Sequence, residues 1–299
     1  MQLGPEQVQR YYAEKLRSGL SPTTVRHHHM VLHNTLKKAV KWGMLARNPL
    51  DAVTPPKAQP AEMHTLDEDD VRRLLEAARS SPYHALFYTA LYRGMRRSEL
   101  LALRWSDVDL DLAQISVNRT LHHLRDGGVV FRPPKTAKSR RTIALPPSAA
   151  LVLREHQEGQ QVIWRTFGAE LRDSDLVFCQ PDGTPLLPNT VTHAWVKLVR
   201  SIGLGGVRLH DARHTHASLM LKQGVHPKVV QERLGHSSIQ MTLDTYSHVA
   251  PGLQNAAALS FDESLAKNTS QAGPKKGLVS KMLAKTENGR RDAGFEGPF

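Results

Sequence analysis

Six side chains able to do chemistry stand at marked places in the 299-residue chain. Arg96 follows Gly94-Met95, and Lys135 follows Pro133-Pro134 at the end of a β-prone run. His210 and Arg213 lie three residues apart, hence on one helical face. His236 follows Leu234-Gly235, where glycine ends a short helix, and Tyr246 comes ten residues later. Singly, each has an ordinary reading as a surface arginine, a hairpin lysine, a core histidine or a core tyrosine. Two other spacings invite a metal: His29 with His33, and His210 with His214, are i,i+4 pairs of the kind two zinc ligands use. A catalytic zinc also needs a third ligand and a carboxylate base, yet only Met30-Val31-Leu32 separates the first pair. No metal and no cofactor is expected.

Charge narrows the possible partners. Forty Lys and Arg against twenty-eight Asp and Glu leave +12, and such a balance draws polyanions through steering and counterion release. Aromatic residues are only 6% and show no interleaving suited to stacking unpaired bases, so duplex DNA is the better partner. The histidines of the second helix then read as a polar or DNA-facing surface. With 40% hydrophobic residues the chain can bury a core, and no apolar run reaches the length of a membrane helix. Nothing near Met1 resembles a secretory signal, and one cysteine, Cys179, excludes an internal disulfide framework. A cytoplasmic, DNA-associated protein without membrane contact is expected.

The elements that must position these residues can be read in turn. Residues 1–56 read as a small helical domain with segments over Glu6–Leu16 and from Ser21-Pro22-Thr23 to Trp42; Ser can cap the second and Pro takes its first position. Residues 1–58 carry nine Lys and Arg against three acids, half of the net charge in a fifth of the length. A proline-rich linker is expected over 57–64. A second domain then spans 65–261. Its first helix opens at a capping box, Thr65-Leu66-Asp67-Glu68, and runs to Ala78. Further helices are expected from Pro82 to Leu91 and from Arg97 to Leu103. Short strands follow at Gln114–Leu121, Val129–Arg132 and Arg141–Leu145, the first two joined by Asp126-Gly127-Gly128, a hairpin signal. Helices return at Pro147–Gln161, Asn189–Ser201 and His210–Lys222. Residues 262–299 read as a basic, disordered tail with a nascent helix near Leu278–Lys285. The fold class is therefore mostly α with a small antiparallel sheet, of three strands.

In combination these residues resemble a known family. Gly94-Met95-Arg96-Arg97-Ser98-Glu99-Leu100, Pro134-Lys135-Thr136 with Ser139-Arg140-Arg141-Thr142-Ile143, His210-Asp211-Ala212-Arg213-His214-Thr215, and Leu234-Gly235-His236-Ser237 with Thr245-Tyr246-Ser247-His248 resemble the signatures of the tyrosine recombinases, or phage integrases, in their usual order. The resemblance covers about residues 20 to 250. It implies an active site at Arg96, Lys135, His210, Arg213, His236 and Tyr246, and the family's catalytic fold behind a helical core-binding domain. It also implies duplex DNA as substrate, assembly into a tetramer on that DNA, and a directionality factor or DNA-bending protein as accessory.

The implied chemistry is phosphoryl transfer at a DNA phosphodiester. Arg96 and Arg213 clamp the phosphate and stabilise its developing charge. Tyr246 attacks, His210 serves as its base, and Lys135 protonates the departing 5′-oxygen. His236 hydrogen-bonds the phosphate, and Glu99 orients the arginines. The 3′-phosphotyrosyl bond stores the energy of the broken linkage, so neither metal nor ATP is needed. Two departures stand out. The opening Gly4-Pro5-Glu6-Gln7 resembles the latter half of a core-binding domain, so the arm-binding domain and the first core-binding helices are expected to be missing. Arg93 occupies a place where the family often has Thr, and is expected to be tolerated. The rival reading is a catalytically silent DNA-binding remnant, against which all six residue types stand. A metal-dependent nuclease would need acidic ligands that do not assemble here. A type IB topoisomerase would share the chemistry without needing a cognate site.

Overall fold

The computed structural model describes residues 3–57, 64–136, 139–246, 258, 259, 261 and 262. Most of the expected linker and nearly all of the expected tail, with its helix near Leu278–Lys285, lie outside the described residues. The chain divides into two compact units, Met1–Met63 and His64–Phe299.

In the first unit, α1 (Pro5–Arg17) and α2 (Pro22–Lys41) precede a single 3-10 turn at Pro49–Ala52. The cap of α2 is as expected: Ser21 accepts from the Thr24 backbone at 3.2 Å, and Pro22 fills the first helical position. Val8, Tyr12, Val25, Leu50 and Val53 form its small core. The histidines of α2 do not form a uniform polar surface. His28 Nδ1 meets the Tyr11 hydroxyl at 3.1 Å, His29 Nδ1 meets that of Tyr12 at 2.9 Å, and His33 Nε2 meets Asp51 at 2.9 Å. They fasten α2 to α1 and to the turn.

The second unit begins with α3 (Glu68–Ala78) and α4 (His84–Arg93). Asp67, not Thr65, caps α3, its carboxylate accepting from the Asp70 backbone at 2.8 Å. Helix α4 starts two residues later than expected because Ser81 turns the chain, accepting from the backbones of Tyr83 and His84. Helix α5 (Arg97–Leu100) stops short of Leu103, its last turn loosening into bonds from Ala102 to Glu99 and from Leu103 to Leu100.

The β-prone runs do not share one sheet. A three-stranded antiparallel sheet has the order β1 (Val108–Asp109), β2 (Gln114–Val117), β5 (Arg141–Ala144), while β3 (Thr120–His123) and β4 (Val129–Arg132) form a separate hairpin. The expected strand from Gln114 to Leu121 breaks at Asn118-Arg119, whose side chains both turn to the buried carboxylate of Asp107, at 3.0 and 2.9 Å.

Three longer helices follow, α6 (Pro147–Thr166), α7 (Pro188–Ser201) and α8 (Leu209–Lys222), and then two of eight residues each, α9 (Pro227–Leu234) and α10 (Ile239–Tyr246). Helix α8 packs against α4, α7 and α9 and buries eight of its fourteen residues, so it has no single apolar stripe. Phe87 of α4 meets Trp195 of α7 edge-to-face at 5.1 Å, and the indole donates to the Val207 carbonyl at 3.0 Å, which fixes the start of α8.

Candidate active site

Two glycines bring the polar residues together. Gly94 ends α4 with φ 59°, and Gly235 ends α9 with φ 67°, both in the left-handed region that a Cβ disfavours. A Cβ on Gly94 would come within 2.8 Å of His216 and Leu234, so α8 and α9 close directly over this turn. The helix ends so formed present carbonyls to a single guanidinium. Arg213, 3% exposed on α8, donates from Nη1 to Gly94 O and from Nη2 to Leu234 O, both at 2.6 Å. Carbonyls at helix C-termini carry partial negative charge and suit a cation.

Arg96 sits at the start of α5, and its guanidinium reaches across the same turn. Its Nη2 donates to Gly235 O at 3.3 Å and its Nη1 to Glu99 Oε1 at 2.8 Å, while its backbone N–H donates to Glu99 Oε2 at 2.8 Å. Glu99 is 2% exposed and receives a second guanidinium, with Arg141 donating at 3.2 and 2.9 Å. Burial would raise the Glu99 carboxyl, but the hydrogen bonds and charges of Arg141 and Arg96 outweigh it and hold the group below its ordinary range. Arg141 also donates from Nε to Arg233 O at 2.6 Å. Sequence reading placed Arg141 within a motif and gave it no part in the site. The signal available was only its place after Ser139, since its partners lie 42 and 92 residues away.

His236 follows Gly235 and is 7% exposed; its Nδ1 meets the buried Thr242 hydroxyl at 2.9 Å. Its pKa is pushed down to about 4 by burial, then by the charges of Arg213, Arg96, His214 and Arg141. His210 lies on the first turn of α8, edge-on to His214 at 4.9 Å. That helix start is fixed by Asp211, which accepts from the Arg208 backbone at 2.7 Å. Desolvation, then the Arg213 charge, lowers the His210 pKa, so its imidazole is neutral at pH 7.

Arg96, Arg213, His210 and His236 therefore share one neighbourhood of two cations and neutral imidazoles. Such a surface can hold a phosphate and accept a proton beside it. Lys135 stands exposed on the loop after β4 and makes none of the hydrogen bonds that unite the others. The backbone of Tyr246 closes α10, while its side chain lies outside the described residues. Among the described residues, no group of three or more His, Cys, Asp or Glu could hold a metal ion.

The model of the phage integrase family matches residues 64–252. A XerC-like tyrosine recombinase of Caldanaerobacter subterraneus is 30% identical over 262 residues, spanning 82% of this chain and 67% of that protein. The ICEBs1 integrase of Bacillus subtilis is 29% identical over 252 residues, spanning 84% and 68%. In fold, the Tn1549 transposon integrase in complex with transposon right end DNA superposes with a TM-score of 0.73 at 20% identity, covering 88% of this chain and 86% of that one. A lambda integrase tetramer bound to a Holliday junction gives 0.58 at 20% identity, covering 83% and 66%. Helices around a small antiparallel sheet are thus the fold that this chain shares with those integrases. The chain belongs to the phage integrase family, whose members are tyrosine-type site-specific recombinases.

Proposed function

We infer that the protein cuts and rejoins duplex DNA at a defined site through a covalent 3′-phosphotyrosyl intermediate, without metal or ATP. The observation that carries this reading is the convergence of Arg96, Arg213 and His236 on the two helix-ending glycines, with neutral His210 beside them. The guanidiniums supply the positive charge that a metal would otherwise bring to the nonbridging oxygens. Tyr246 is the nucleophile; its phenol has a reference pKa near 10, and His210, neutral at pH 7, accepts its proton. His236, neutral through burial, donates a hydrogen bond to the phosphate. Lys135 swings in on its exposed loop and protonates the 5′-oxygen, and Glu99 with Arg141 positions Arg96. In this reading residues 1–56 contact DNA as a core-binding domain, residues 65–261 form the catalytic domain, and four copies assemble on the recombining sites.

The reading is tested with purified protein and a supercoiled plasmid carrying two cognate sites, in EDTA and without nucleotide. Recombinant circles are expected, and a plasmid lacking the sites should stay unchanged. Site-independent relaxation, or product formed only with a divalent metal, would contradict it.

A further inference from the structure

A cavity of about 1240 Å³ in the second unit is lined by none of the six residues given roles in DNA cleavage. Arg93, His216 and Arg233 line it, and each keeps a buried polar atom with no hydrogen-bond partner: Arg93 Nε, His216 Nε2 and Arg233 Nε. Arg93 is 2% exposed and donates from Nη1 to the Ala144 carbonyl. Among the described residues no carboxylate pairs with Arg93 or Arg233, and the two charges repel one another. A buried guanidinium with an idle N–H and a like charge beside it is expensive to leave without a counterion. Two guanidiniums without a carboxylate partner line this one cavity, and together they point to an anion.

The walls specify which anion. Leu75, Leu145 and Leu219 give the cavity an apolar body, which suits an organic acid better than inorganic phosphate. Glu68, Glu76 and Glu155 also line it, with Arg72 and Arg79 among them. Beyond Arg93 and Arg233 the walls therefore offer no excess of positive charge to a multiply charged strand such as a DNA backbone, but leave room for a single carboxylate at the two arginines. We propose that this cavity binds a carboxylate with an apolar body, its oxygens held between Arg93 and Arg233. The site adjoins the clamp covalently on both sides. Arg93 precedes Gly94, whose carbonyl holds Arg213, and the Arg233 carbonyl holds Arg141.

The test is calorimetric titration of the full chain at pH 7 and constant ionic strength with 3-phenylpropionate, its neutral amide, and a capped Leu-Glu-Leu peptide. At least one carboxylate should bind, and 3-phenylpropionamide should bind about tenfold more weakly than the free acid. Tighter binding of the peptide assigns the carboxylate to a protein segment, and tighter binding of the free acid assigns it to a small molecule. Arg93→Thr should weaken binding about tenfold, whereas Arg96→Ala, which removes a clamp arginine, should leave it unchanged. Circular dichroism checks folding; if Arg93→Thr does not fold, Arg233→Gln takes its place with the same expected loss. The proposal is overturned if neither carboxylate binds, if acid and amide bind alike, if the cavity variant binds as the parent does, or if Arg96→Ala abolishes binding.

Discussion

Lys135 and Arg96 are both cations, yet the structure gives them different surroundings, which supports the different tasks proposed for them. Arg96 is held by Glu99 and by Gly235 O, fixed in place as a clamp must be. Lys135 stands on an exposed loop, a position that suits the proposed proton donor. Lys135→Ala should therefore slow cleavage of ordinary DNA by about 10²–10⁴-fold. It should recover on a 5′-bridging phosphorothiolate, whose sulfur departs without a proton. Arg96→Ala should not recover on that substrate, because its charge acts on the nonbridging oxygens. Equal rescue of the two variants would show the roles to be misassigned. The site was legible at this scale to the extent that its residues sit in contiguous motifs. Arg141 was not legible, because its importance comes from Glu99 and Arg233 O, which only the folded chain brings near. Arg93, by sequence a tolerated exception, is 2% exposed in the structure, with an idle Nε and no carboxylate partner among the described residues.

At the scale of elements, the start of α2 at Ser21-Pro22 and the ends of α4 and α9 at glycine were visible because caps and left-handed turns depend on a few adjacent residues. The break between β2 and β3 was hidden: it depends on Asp107 reaching Asn118 and Arg119. The two-residue β1 carries no periodicity to detect. Helix α8 and the turn after α9 also carry a pH signature. His214 and His236 are pushed down to about 4 and His216 to about 3, in each case first by burial. Their folded pKa values lie below the unfolded value near 6.5, so the unfolded chain binds more protons in acid. The stability they allow is complete above about 6.5 and is lost as pH falls toward 4. Thermal unfolding should show a Tm that drops steadily from pH 7 to pH 4.5, with proton uptake on unfolding. A flat Tm across that range would mean these imidazoles are not buried in the neutral form.

At the scale of the molecule, net charge and composition pointed to a nucleic-acid partner but carried no information about which phosphate chemistry is done. The family match falls on residues 64–252, within the second unit, which also holds every residue of the clamp. The first unit contributes basic helices over a core of five buried side chains, and leaves Val31, Trp42 and Met44 largely exposed. Catalysis as proposed turns on a covalent bond between Tyr246 and the DNA.

That bond is measured most directly with a nicked suicide substrate containing the cognate core site, incubated in EDTA and resolved on a denaturing gel. A protein–DNA adduct through the 3′-phosphate is expected, with peptide mass spectrometry placing the nucleotide on Tyr246. Tyr246→Phe should abolish the adduct while DNA binding stays nearly intact, because only the nucleophilic oxygen is removed. An adduct that survives in Tyr246→Phe, or cleavage that proceeds only with a divalent metal and leaves no adduct, would contradict the proposal.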